Sequence, residues 1–274
     1  MSSEQRGRGT LYLVPAPLGD TDLDQVLPAA VRQTVAALAH WIVEGPKAAR
    51  RFLSRNGTRC PLQRLQVEVL DEHTPPEALA RLLSPLEAGH DVGVVSEAGC
   101  PAVADPGAAL VRLAHRRGIR VAPLVGPSSI LLALMASGLN GQRFAFHGYL
   151  PVKPAERRAR IEALERDSRL CHSTQIVMEA PYRNAQLFAA LLEVCQDDTD
   201  LCVATNLTLA DERIETRSIA EWKEAPLPPD ERPSLFLFQA RPAGGELSAS
   251  AGRRFRKRPG QRPPRRRNAV PTAR

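Results

Sequence analysis

Aromatic residues make up only 4% of this 274-residue chain, against 43% hydrophobic residues, so a core has to be built mainly from Leu, Val and Ala. The five cysteines, Cys60, Cys100, Cys171, Cys195 and Cys202, are an odd set with no C-x-x-C spacing, which argues against a disulfide framework and a cysteine zinc site. Reduced thiols suit a cytoplasm, and a cytoplasmic location is the expectation. The six histidines are scattered, with no pair at metal-ligand helical spacing, and no metal is expected. Long apolar runs are missing too. The longest, ILLALMA at 130–136, falls far short of the roughly 18 residues that would suggest a membrane span. The polar opening MSSEQRGRGT leads into too few apolar residues for a secretory leader. No G-x-x-x-x-G-K-[ST] loop and no G-x-S-x-G elbow occur, and the one G-x-G, Gly7 to Gly9, precedes the first strand. Kinase and hydrolase chemistry therefore lack support.

Acidic residues are absent from Gly252 to Arg274, where ten Lys or Arg accumulate. The remainder carries 27 basic against 30 acidic residues, so the formal charge of +7 belongs to a tail and the body is mildly acidic. Beyond Arg241 the Gly, Pro and Arg content is too poor in apolar residues to offset ordering entropy, and residues 243–274 are expected to be a disordered basic arm suited to RNA contact.

What is present is an alternation of short apolar runs and longer helical patterns. LYLVP (11–15), WIVEG (41–45), LQVEVL (65–70), DVGVVS (91–96) and IRVAPL (119–124) read as strands. Between them 26–40, 46–56, 75–89 and 106–118 read as helices, with another at 126–139. This order predicts an α/β fold with a mostly parallel sheet. Pro46, Pro106 and Pro127 mark helix starts, and Gly89 and Gly118 mark C-caps. FHGYLPVKP (146–154) reads as a connection to a second α/β block. That block holds helices at 155–167 and 184–195, strands at 174–181, 200–205 and 233–240, and a ribbon at 212–222. The expected domains are 10–123 and 124–242.

The strands share one feature. VPAPLGD, VEGPK, VVSEAGCP, PLVGPSS and VMEAPYR each place Gly, Ala or Pro where a strand leaves a sheet. Ligands of open α/β sheets bind beyond such ends, and small side chains let them reach the backbone. One such loop is an ordinary turn; five together point to a ligand site.

In the segments LYLVPAPLGD, VVSEAGCPAVADPG, VAPLVGPSSILLALMASGL, FHGYLP and VMEAPYRN, the chain resembles the tetrapyrrole methylase superfamily over roughly residues 11–240, nearest to its branch of ribosomal RNA small-subunit 2′-O-ribose methyltransferases. The resemblance implies two α/β domains, S-adenosylmethionine held in the cleft between them, methyl transfer to RNA, and a homodimer. Methyl transfer to a tetrapyrrole or other small molecule, or cofactor binding without catalysis, are the alternatives. It further implies a cofactor loop of Ser96, Glu97, Ala98, Gly99, Pro101 and Asp105, a helix start at Gly126, Pro127, Ser128 and Ser129, and a second-domain edge at Met178, Glu179, Ala180 and Ala204. Asp105 is either a cofactor residue or an N-cap, and Ser128 and Ser129 either face the cofactor or fill a first turn. Three motifs depart from the ribosomal RNA branch. Glu44, Gly45, Pro46 and Lys47 stand where those enzymes carry Glu-Asp-Thr-Arg. Glu97, Ala98, Gly99, Cys100 and Pro101 replace Asp-Ala-Gly-Thr-Pro, and Ala204, Thr205, Asn206 and Leu207 replace Ala-Arg-Glu-Leu. For ribose chemistry Glu44 is the expected general base, with Lys47 or Arg183 orienting a phosphate. Glu44 is equally readable as a solvated strand-end carboxylate. Arg50 and Arg51 read as water-facing, and Cys100 as a small buried thiol.

Overall fold

The structure is a computed structural model that describes residues 7–226 and 230–242. The basic arm expected at 243–274 lies outside the described residues.

The first half folds as the alternation predicts. Strands β1 (Thr10–Leu13), β2 (His40–Val43), β3 (Gln66–Val69), β4 (Val92–Val95) and β5 (Arg120–Pro123) form one all-parallel sheet in the order β3-β2-β4-β1-β5. Helices α1 (Leu23–Val26), α2 (Ala29–Ala37) and α3 (Pro46–Asn56) cover one face. The other face carries α4 (Ala78–Leu82), α5 (Ser84–Glu87) and α6 (Ala108–Arg116). Because successive strand residues point to opposite faces, Trp41 and Val43 join the first cluster and Ile42 the second. A parallel sheet covered on both sides needs such near-continuous apolar strands.

The second half forms a mixed sheet, β6-β7-β10-β8-β9, from β6 (Phe144–Tyr149), β7 (Thr174–Met178), β8 (Asp200–Thr205), β9 (Arg213–Ser218) and β10 (Ser234–Gln239). Only β6 and β7 run parallel; β10 pairs antiparallel with β7 and β8, and β9 antiparallel with β8. Helix α7 (Ser129–Ser137) packs on one face with Ile176, Cys202, Leu235 and Leu237. Helices α8 (Pro154–Cys171), α9 (Asn184–Val194) and α10 (Ile219–Glu224) pack on the other around Val177, Phe236 and Phe238.

Several local expectations change. The helix read at 75–89 breaks at Leu83 into two short helices. The stretch 146–154 is no mere connection: its first residues complete β6, where Gly148 (φ 64°) sits in an irregularity between Phe146 and Tyr149. A glycine inside an apolar strand is tolerated at a bulge, which is why the turn reading fails there. The ribbon at 212–222 ends at Ser218. That residue's side chain caps α10 in a capping box with Glu221, turning the rest into helix. Pro127 stays outside α7, whereas Pro46 opens α3 as expected, and Gly89 (φ 88°) and Gly118 (φ 64°) take the left-handed conformations expected of C-caps.

Gly93 fixes how closely β4 sits beneath α2. A Cβ there would come within 2.5 Å of the Trp41 ring, which is 1% exposed, and 3.0 Å of Leu38. Gly93→Ala is therefore expected to destabilise the fold by about 1–3 kcal/mol through overpacking, read as a lowered urea midpoint with an unchanged slope.

Candidate active site

In the first sheet, β2 leads outward to β3 while β4 leads the other way to β5. The two exits diverge and open a crevice at the carboxyl ends, where ligands of open α/β sheets bind. Backbone bonds hold the crevice in shape. The Glu44 amide donates to the Val95 carbonyl at 3.2 Å, and Ala16 and Gly99 exchange paired bonds of 2.9 and 3.0 Å that fasten the β4 loop to the β1 loop. In that loop Gly99 (φ 71°), Ala102 (φ 66°), Ala104 (φ 63°) and Gly107 (φ 131°) are all left-handed. Two alanines in this conformation mark strain of the kind that gathers at functional sites.

A cavity of about 510 Å³ lies between this loop and the carboxyl end of the second sheet. It is within the roughly 300–1,000 Å³ usual for small-molecule sites. Glu44, Glu97, Ala98, Gly99, Asp105, Ser128, Ser129, Met178, Glu179 and Ala204 line it, so most of the expected cofactor residues meet in one place. The other expected residues do not line it. Ser96 is buried beneath the loop, and Pro101 is buried beside it. Gly126 packs against Pro15, which a Cβ would approach to 2.4 Å. Pro127 contributes its carbonyl to the Cys100 thiol at 3.5 Å, and the Ala180 amide donates to Glu179 Oε1 at 2.8 Å.

The carboxylates converge. Glu44 Oε2 accepts the Glu97 amide at 3.2 Å. A Cβ on Gly45 would fall 2.4 Å from Glu97 Oε1, so a larger residue there would displace that carboxylate. Two of the departures from the ribosomal RNA branch, glycine at 45 and the longer acid at 97, thus meet in space. Asp105 does not cap α6, whose N-cap is Gly107. Its pKa is pushed up to about 6, chiefly by burial and further by the charges of Glu44 and Glu97, while the Ser96 hydroxyl pulls it down. Burial, then Asp105, also raises Cys100, leaving an unreactive thiol. Ser128 is the N-cap of α7 but makes no side-chain cap bond.

On the opposite wall the Glu179 side chain is fully buried. Its Oε1 receives Arg183 Nε at 2.9 Å and Nη2 at 2.6 Å, whereas Oε2 has no partner among the described residues. An orphaned buried acceptor carries a desolvation cost, and this one lies directly behind the cavity wall that Glu179 lines. Arg183 is thereby tied to Glu179. Lys47 lines a second cavity of about 480 Å³ instead, and that cavity shares Leu18, Glu97 and Ala98 with the first.

Residues 10–223 match the family model for Tetrapyrrole (Corrin/Porphyrin) Methylases. The chain belongs to this family. It is 36% identical over 215 residues to Ribosomal RNA small subunit methyltransferase I of Pseudomonas aeruginosa, covering 78% of this chain and 71% of that one. Identity to the protein of the same name from Mesorhizobium japonicum is 36% over 209 residues, covering 76% and 67%. The crystal structure of the methyltransferase CobJ superposes with a TM-score of 0.56 at 18% identity, covering 85% of this chain and 94% of that one, which shows a shared fold. As a tetrapyrrole methylase the chain is a methyltransferase. Sequence reasoning missed Pro233 and Ser234 on the cavity wall and gave Tyr149 and Asn206 no role there. Tyr149 and Asn206 fall inside quoted segments, but Pro233 and Ser234 lie at the start of β10, brought beside the end of β8 only by the antiparallel pairing of the two strands.

A raised carboxyl pKa stabilises the fold below the unfolded value near 3.8 and loses that contribution as pH rises through about 6. Asp105→Asn is therefore expected to melt higher than the parent at pH 8, with the gap closing by pH 4. Melting curves across that range check this; a gap independent of pH contradicts it.

Proposed function

We propose that this methyltransferase uses S-adenosylmethionine to methylate RNA, with a ribose 2′-hydroxyl of small-subunit ribosomal RNA as acceptor. The observation that carries this reading is the cavity wall, where Glu44, Glu97 and Asp105 face the buried, half-unpartnered Glu179. Such a lining fits a molecule with a positively charged sulfur, an ammonium group and hydroxyl donors. The cavity's size and the backbone-rich β4 loop support the same ligand. The names of the relatives support RNA as substrate.

When bound, S-adenosylmethionine supplies a methyl group activated by the positive charge on its sulfur, which keeps the bonding pair as the methyl leaves. The chain has to align the acceptor, exclude water and take the proton that the hydroxyl loses as its oxygen–carbon bond forms. Glu97 is the residue we assign to that proton, because it borders both cavities, whereas Glu44 borders only the first and holds the Glu97 amide. Glu44, the base expected from sequence, becomes a positioning residue. Asp105, Ser128, Ser129 and Glu179 bind the donor, and Arg183 positions Glu179.

Two further parts of the reading concern partners. The lysines and arginines of 243–274 supply a salt-sensitive RNA contact, supported by their charge. A homodimer is supported by the apolar surface around α7, where Val125, Leu131 and Met135 are 71%, 51% and 80% exposed. A cytoplasmic location is supported by five free cysteines, and no helix among the described residues is long and apolar enough to cross a membrane.

Full-length protein with methyl-labelled S-adenosylmethionine and small ribosomal subunits is expected to label the RNA at a ribose. Glu97→Gln should lower kcat by about 10²–10⁴ while calorimetry still detects donor binding, and removing 243–274 should raise KM for RNA. Absence of label in any RNA, with transfer to a tetrapyrrole instead, rejects the RNA reading. Sedimentation should give a dimer that Met135→Glu shifts toward monomer; a monomeric parent removes the dimer.

A further inference from the structure

The second cavity has a different character from the first. Its floor is apolar, made by Pro17, Leu18, Ala48 and Phe52, and its rim is cationic. Lys47, Arg51 and Arg55 line it from α3 at spacings of four, so they share one helix face and rise on the order of 6 Å from one to the next. Asp20, on the β1 loop, pairs with Arg51 and Arg55 at 3.1 Å each, and Arg55 also donates to the Thr21 carbonyl. Lys47 has no ion-pair partner among the described residues. Three cations against two carboxylates, Asp20 and the shared Glu97, still leave the lining net positive on a body that is otherwise mildly acidic.

We propose that this cavity seats one nucleotide of a single RNA strand, with its base on the apolar floor and the backbone phosphates on Lys47, Arg51 and Arg55. The inference rests on the RNA reading above and deepens it. Three features favour a nucleotide. An apolar floor beneath a row of cations matches a flat base joined to a chain of phosphates. The Asp20 pairs are exposed and individually weak, so they hold the guanidiniums in place and still release them to phosphate. The wall shared with the first cavity carries Glu97, so a sugar held at that wall faces the residue assigned to the proton. Arg51, which the sequence presents as a water-facing residue, thereby becomes part of the acceptor site.

The test is a pair of double variants in the full chain: Lys47→Gln with Arg51→Gln, and a charge-matched control, Arg112→Gln with Arg116→Gln. The control residues are exposed on α6, across the sheet from α3. With small ribosomal subunits as substrate, the first pair is expected to raise KM about tenfold or more and to flatten the plot of log affinity against log salt by about 1.4, or 0.7 for each phosphate no longer neutralised. Calorimetric affinity for S-adenosylmethionine should stay at the parent value in both. Lys47→Arg should retain the parent KM. Equal KM and equal salt slopes for the two pairs overturn the inference while leaving RNA methylation standing. A parent that labels no RNA removes the functional reading itself.

Discussion

Two hydrogen bonds, from the Glu97 amide to the Glu44 carboxylate and from the Glu44 amide to the Val95 carbonyl, join two strand exits whose chains then part in opposite directions. Most of the site depends on that junction. It ties the start of the β4 loop to the end of β2 and places two carboxylates side by side. Gly45 is part of the same arrangement, since its missing Cβ is the space that the Glu97 side chain occupies. Glycine in place of the Asp of Glu-Asp-Thr-Arg therefore removes one acid and gives its space to the longer carboxylate of Glu97.

The two walls of the cavity then handle charge differently. On the first sheet's side, Glu44, Glu97 and Asp105 crowd together, and Asp105 is the member pushed toward neutrality. A cation entering the cavity favours the ionised form of that group and relieves the crowding. On the other side Glu179 is held by a guanidinium on one oxygen only. Neither wall is at its best empty, which is the condition under which binding energy can be large for a ligand of modest size. Catalysis in such a site consists mainly of alignment and exclusion of water, because the methyl donor arrives activated.

Much of this architecture was legible in the residue order. The alternation of runs in 10–123 predicts the parallel sheet, and glycines 89 and 118 mark helix ends because a side chain there would be strained. The β4 loop announces itself by composition, since a strand followed by small residues can serve a ligand. What could not be read was anything depending on which strand ends become neighbours. Pro233 and Ser234 face the cavity only because β10 threads between β7 and β8. Lys47 and Arg183 look alike as phosphate binders in sequence. One lines the second cavity and the other is engaged by a carboxylate four residues away, a distinction set by the short helical turn at 181–183. The bulge that lets Gly148 sit within a strand is likewise invisible without its partner β7.

Ala102 and Ala104 carry a consequence for adaptation. Each sits in a backbone region that costs an alanine about 1 kcal/mol and a glycine almost nothing. Glycine at both would ease the loop locally, yet it would also enlarge the range of shapes open to the unfolded segment. Retaining alanine gives up a little local comfort for a loop with fewer ways to wander. Relatives working at low temperature, where suppleness matters more than endurance, are the ones in which these two methyl groups should be missing.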